Sequence, residues 1–97
     1  AKQLVVNKVK ELNKFYNFDY NKITIRLVST RLGSCSSKKN LNFNYRIIFL
    51  PDNLVNYLVV HELCHLKEMN HSVRFWKLVE KTIPDYKKLR KELKNIK

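Results

Sequence analysis

The chain has 97 residues, 44% of them hydrophobic and 11% aromatic, which is enough apolar material for one small core and predicts a single domain over residues 1–97. It carries 20 Lys and Arg against 8 Asp and Glu, a formal charge of +12. No apolar run is long enough to span a bilayer, and two cysteines do not make a disulfide framework, so a membrane-spanning protein and a stapled secreted scaffold are both excluded.

Residues 2–16 have Leu4, Val5, Val9, Leu12, Phe15 and Tyr16 at helical spacing, which predicts a helix ending in the polar stretch 17–21. The same N-terminal residues lack the apolar core and cleavage site of a signal peptide, and a cytoplasmic setting is expected. Residues 22–29 alternate, with Ile23, Ile25 and Leu27 on one side, and read as a half-buried strand. A polar stretch around the chain's only glycine, Gly33, comes next as a turn, a bulge or a close backbone approach. Residues 41–49 alternate again as a second or third strand. These segments predict a small, twisted, mainly antiparallel sheet. Pro51 breaks the pattern, Asp52 is expected to cap a helix over 53–68, and Ser72 to cap another over 73–82. Pro84 and Asp85 introduce a last helix with a stripe of Tyr86, Leu89, Leu93 and Ile96.

The chemistry is concentrated in His61-Glu62-Leu63-Cys64-His65, an H-E-x-x-H pattern on an apolar run. On a helix, residues i and i+4 lie on one face, so His61 and His65 can present two imidazoles to one zinc ion. Glu62 is turned about 100° away and suits a general base beside an open coordination position. The third histidine of the chain, His71, is the expected third ligand. Ten residues on from His61 the helical angle has moved by about 280°, so the helix must stop and the chain turn back. Met69-Asn70 is the expected turn, since Asn tolerates the left-handed conformation. Glu80, on the next helix, is the alternative third ligand. Cys64 points away from Glu62 and is expected in the core.

With these residues in view, the sequence resembles the YgjP-like, or SprT-like, zinc metallopeptidases. The likeness lies in Arg31-Leu32-Gly33-Ser34-Cys35-Ser36, in Leu41-Asn42-Phe43-Asn44-Tyr45-Arg46 leading to Leu50-Pro51, and in Tyr57 to Leu66 continued by Asn70-His71-Ser72, Phe75-Trp76 and Pro84-Asp85-Tyr86. Leu32 stands where the family usually has Trp. The chain looks like a minimal catalytic domain of minigluzincin size. The resemblance implies a zincin-like α+β fold, with a short sheet packed on the metal helix between N- and C-terminal helices. It also implies zinc on His61, His65 and His71 with Glu62 as base.

The function expected is hydrolysis of peptide bonds in a peptide or unfolded protein by zinc-activated water. Tyr45, Tyr57, Arg31 and Arg46 are candidates to stabilise the oxyanion. Two alternatives remain: a metal-dependent hydrolase of a nucleotide, which the positive charge would suit, and a latent or self-associating zinc domain. The lysines are spread over every segment and aromatic residues are not interleaved with Arg, which makes nucleic-acid binding the lesser reading. No membrane partner is expected.

Overall fold

The computed structural model describes residues 2–27 and 31–96, residue 96 by its backbone alone. Helix α1 spans Lys2–Tyr16, the range that the periodicity predicts. Its buried residues are Val5 and Val9, one turn apart, while Leu4 and Phe15 are exposed. The stripe facing the core is therefore narrower than the sequence pattern. The helix ends at Asn17, which takes a φ of 55° and donates its N–H to the Asn13 carbonyl. The Tyr16 hydroxyl donates to the Leu78 carbonyl at 2.5 Å and meets the Thr82 hydroxyl at 2.8 Å, tying α1 to the far end of the chain.

Three strands come after it: β1 (Lys22–Arg26), β2 (Gly33–Cys35) and β3 (Asn40–Asn44). Their order in the sheet is β1-β3-β2. β1 and β3 run parallel, from Lys22 opposite Asn40 to Arg26 opposite Asn44. β2 pairs antiparallel with β3. The sheet is thus mixed where the sequence suggests mainly antiparallel pairing. The segment between β1 and β3 is long enough to bring the chain back in the same direction. The core face carries Ile23, Leu41 and Phe43, all buried. On the other face the Thr24 hydroxyl donates to Asn42, whose amide donates to the Ser34 hydroxyl. A polar rung thus crosses all three strands.

Two strand boundaries differ from expectation. β1 ends at Arg26, Leu27 is exposed, and the predicted continuation through 28–29 lies outside the described residues. The predicted strand over 41–49 stops at Asn44, and Tyr45–Phe49 forms a 3-10 helix instead. Asn44 is the cause. It is buried, its N–H donates to the Leu32 carbonyl, and its side-chain oxygen accepts from the Arg46 N–H at 3.0 Å. An Asx turn of this kind closes a strand locally.

Helix α2 (Asp52–His65) lies at the centre and is buried nearly all round, as a helix without a polar face must be. α1, β2, α3 (Val73–Glu80) and α4 (Tyr86–Ile96) all pack against it. Its cap is not the expected Asp52. Pro51 occupies the N-cap position without a side-chain hydrogen bond, and Asp52 is the first helical residue, ion-paired with Lys8 at 2.7 Å. That carboxylate is exposed, so the pair adds little stability, although its charge suits a helix N-terminus. The last helix buries Leu89 and Leu93 of its predicted stripe.

This distribution of burial predicts that Phe43→Ala costs about 3–5 kcal/mol, because a fully buried ring leaves a cavity. Phe15→Ala, at 58% exposed, is expected to change stability by about 0.5 kcal/mol or less. Urea unfolding of the two variants beside the parent protein measures the contrast.

Candidate metal centre

His61 and His65 occupy the last turn of α2, one above the other. The helix ends at His65 rather than at residue 68. Its terminal carbonyls are taken up within the turn: the Leu66 N–H donates to Leu63, and the Lys67 and Glu68 N–H groups both converge on Cys64. Asn70 is not among the residues with positive φ, so the chain reverses without the left-handed residue expected there. The hydrogen bonds onto Cys64 tighten the last turn and start the reversal. His71 is then fixed from its C-terminal side. Its neighbour Ser72 is the N-cap of α3, accepting from the Phe75 N–H.

The result is a near-equilateral triangle of imidazole nitrogens. The Nε2 atoms of His61 and His65 are 3.2 Å apart, those of His65 and His71 3.0 Å, and those of His71 and His61 3.1 Å. Nitrogens held about 2.0–2.1 Å from one ion at tetrahedral angles lie roughly 3.3–3.4 Å apart. The triangle is only slightly tighter, and a single small cation suits it. The tautomer suits it as well. His65 Nδ1 lies 3.1 Å from the Glu68 carbonyl oxygen. A carbonyl can only accept, so Nδ1 bears the proton and Nε2 presents a bare lone pair. Burial lowers the His65 pKa, against the opposing pull of that carbonyl, and favours the neutral, ligating form. Among the described residues these three histidines are the group of His, Cys, Asp or Glu side chains that can share an ion. Glu80 is exposed at the end of α3 and is not in the group.

Aromatic rings fix the triangle from behind. The fully buried Phe75 ring stacks on His65 at 4.4 Å and lies 5.0 Å from both His61 and His71. The Trp76 ring, only partly buried, lies 5.8 Å from His61 and 5.7 Å from His71. Cys64 points into the adjoining core with Val60, Phe75 and Val79, as the helical angle predicts. It and Cys35 are free thiols.

Glu62 lies beside the triangle and is only 4% exposed. Its carboxylate faces β2 at Gly33. A Cβ added there would lie 3.1 Å from Glu62 Oε2 and 3.3 Å from Cγ, so any larger residue would push the carboxylate by a few tenths of an ångström. Burial pushes the Glu62 carboxyl up to about 8, with the Arg31 charge partly offsetting it.

The three histidines and Glu62 open onto a cleft of about 570 Å³ between β2, α2 and α4. Of the four oxyanion candidates, Tyr57 and Arg31 line this cleft, whereas Tyr45 and Arg46 belong to the 3-10 helix and do not. Burial holds the Tyr57 hydroxyl protonated, with a pKa raised to about 12. The cleft also takes Arg90, Leu93 and Lys94 from α4, which the sequence reading missed. The available signal was the position of Arg90 and Lys94, each next to a residue of the buried Leu89/Leu93 stripe.

Comparison with known proteins agrees with this architecture. No curated protein matches the chain significantly. Two solved structures superpose over nearly its whole length. The metallopeptidase zymogen abylysin of Pyrococcus abyssi gives a TM-score of 0.81 at 22% identity, covering 92% of this chain and 90% of its own. The metallopeptidase zymogen jannalysin of Methanocaldococcus jannaschii gives 0.78 at 27% identity, covering 95% and 93%. The family described as YgjP-like, metallopeptidase domain, matches residues 1–96. With a match of that extent, the chain belongs to the YgjP-like metallopeptidase family.

Proposed function

We propose that the protein is a zinc-dependent peptidase in which His61, His65 and His71 hold the metal and Glu62 is the general base. The observation that carries this reading is the triangle of Nε2 atoms, 3.0–3.2 Å apart, with a buried carboxylate on the residue next to His61. Three imidazole nitrogens with room for a fourth ligand are a donor set that zinc favours. When bound, zinc supplies Lewis acidity and lowers the pKa of a coordinated water toward about 7.

The protein's own groups do the rest. Glu62 takes a proton from the attacking water and returns it to the leaving amine. The charge of a cation among the imidazoles opposes the effect of burial and favours the ionised carboxylate that this role needs. Gly33 keeps β2 from displacing that carboxylate. Tyr57, protonated at neutral pH, can donate a hydrogen bond to the developing oxyanion. Among the described residues β2 is an edge strand of the sheet and borders the cleft, so an extended peptide can lie along it by main-chain pairing.

Glu62→Gln is expected to keep one zinc per chain, measured by elemental analysis, and to lose casein hydrolysis by a factor of about 10²–10⁴. Undiminished hydrolysis in that variant would remove Glu62 as the base. His71→Ala is expected to weaken zinc affinity sharply while Glu80→Ala leaves it unchanged. Competition with a chromogenic chelator ranks the two, and the reverse order would make Glu80 the ligand. For Gly33→Ala the expectation is retained zinc with kcat down by about tenfold to a hundredfold, because the added methyl shifts the base by a few tenths of an ångström.

A further inference from the structure

We propose that the wall α4 gives to the cleft is a carboxylate-recognition subsite of the peptidase, with Arg90 as its principal contact. This deepens the peptidase reading and depends on it for the site's use. The cleft carries Arg31 from the β2 side and Arg90 and Lys94 from α4, and its carboxylate, Glu62, is buried against β2. A peptide entering the cleft therefore meets positive charge from two sides. Arg90 and Lys94 are one helical turn apart and so share one side of α4, beside Leu93, which is buried.

Arg90 is also held in place. Its guanidinium carbon lies 5.0 Å from the centroid of the Trp76 ring. Trp76 is itself stacked on Tyr86 at 4.9 Å and 13°, and its ring lies within 5.8 Å of the His61 and His71 rings. The aromatic stack that backs the metal centre thus also carries the arginine, which fixes the distance between cation and imidazoles. A guanidinium lying over a ring keeps the edge of its fork free for hydrogen bonding. The Arg90 charge reaches the Tyr57 hydroxyl on the cleft wall, where it works against the effect of burial. A planar fork of donors matches a carboxylate in bidentate fashion. The ligand chemistry is therefore a carboxylate, from an Asp or Glu side chain near the scissile bond or from the C-terminus of a short peptide. An arginine that serves only to cover Trp76 would not discriminate among substrates.

The test uses zinc-loaded Glu62→Gln protein, titrated with a neutral parent peptide and with versions carrying Glu or Gln at each position in turn, every one made with a free and an amidated C-terminus. Fluorescence of Trp76, the only tryptophan of the chain, reports binding. Acidic peptides are expected to bind about tenfold more tightly than their neutral matches. The gap should close in Glu62→Gln/Arg90→Gln, narrow in Glu62→Gln/Arg90→Lys, and shrink as salt is raised on the Glu62→Gln protein itself, a readout that needs no Arg90 variant. A gain that tracks Glu at one position assigns a side-chain subsite; one that tracks the free terminus assigns an end-binding subsite. Equal binding of Glu and Gln peptides and of acid and amide forms overturns the proposal. Hydrolysis of the same set by the wild type separates the two readings. Cleavage without charge preference removes the subsite and leaves the peptidase, whereas salt-sensitive acidic preference in binding with no cleavage removes the peptidase and leaves the subsite.

Discussion

Everything at this site depends on bringing His71 back to the face of α2 that carries His61 and His65. The helix alone cannot do it, because its geometry rotates a third residue away. The chain solves this by ending α2 at His65, folding the next N–H groups onto the Cys64 carbonyl, and restarting at Ser72. Phe75, on the first turn of α3, then packs against all three imidazoles. The ring is part of the core and also the backing of the histidine triangle.

The same economy shapes the rest of the cleft. Glu62 is buried against β2, and the absence of a side chain at residue 33 lets the two sit together without displacement. The carboxylate is buried there, with the Arg31 charge acting on it. On the opposite wall α4 is anchored through Leu89 and Leu93, and the aromatic stack links it to the histidines. A change in how α4 packs would therefore be felt at His61 and His71 through Trp76. Family membership agrees with a peptidase built in this way, and this chain's own residues provide the cleft's charge.

Much of this was legible in the sequence. The periodicity of α1 gave its ends to the residue, because a polar, turn-prone stretch comes immediately after it. The meeting of His61, His65 and His71 was legible because all three histidines lie in one stretch whose spacing has few uses. The sheet was less so. β2 is three residues long inside a run of small polar residues, with no alternation to detect, and the parallel pairing of β1 with β3 is a long-range choice. The apolar run Ile47-Ile48-Phe49 reads as strand, yet Asn44 closes the strand before it through hydrogen bonds to partners that only the fold supplies. Arg90 was hidden for a similar reason. Among many scattered cations its place beside the Leu89/Leu93 stripe was the one local signal, and that this side of α4 meets the cleft is set by packing.

The central claim is that three imidazoles, and no sulfur or additional carboxylate, hold zinc in this fold. Zinc K-edge X-ray absorption on the zinc-loaded protein in solution tests it most directly. The account predicts a first shell of nitrogen and oxygen at about 2.0–2.1 Å, with outer-shell scattering that requires three imidazoles. A sulfur shell near 2.3 Å, or a fit that needs only two imidazoles, would contradict it by bringing in Cys64 or a carboxylate such as Glu80.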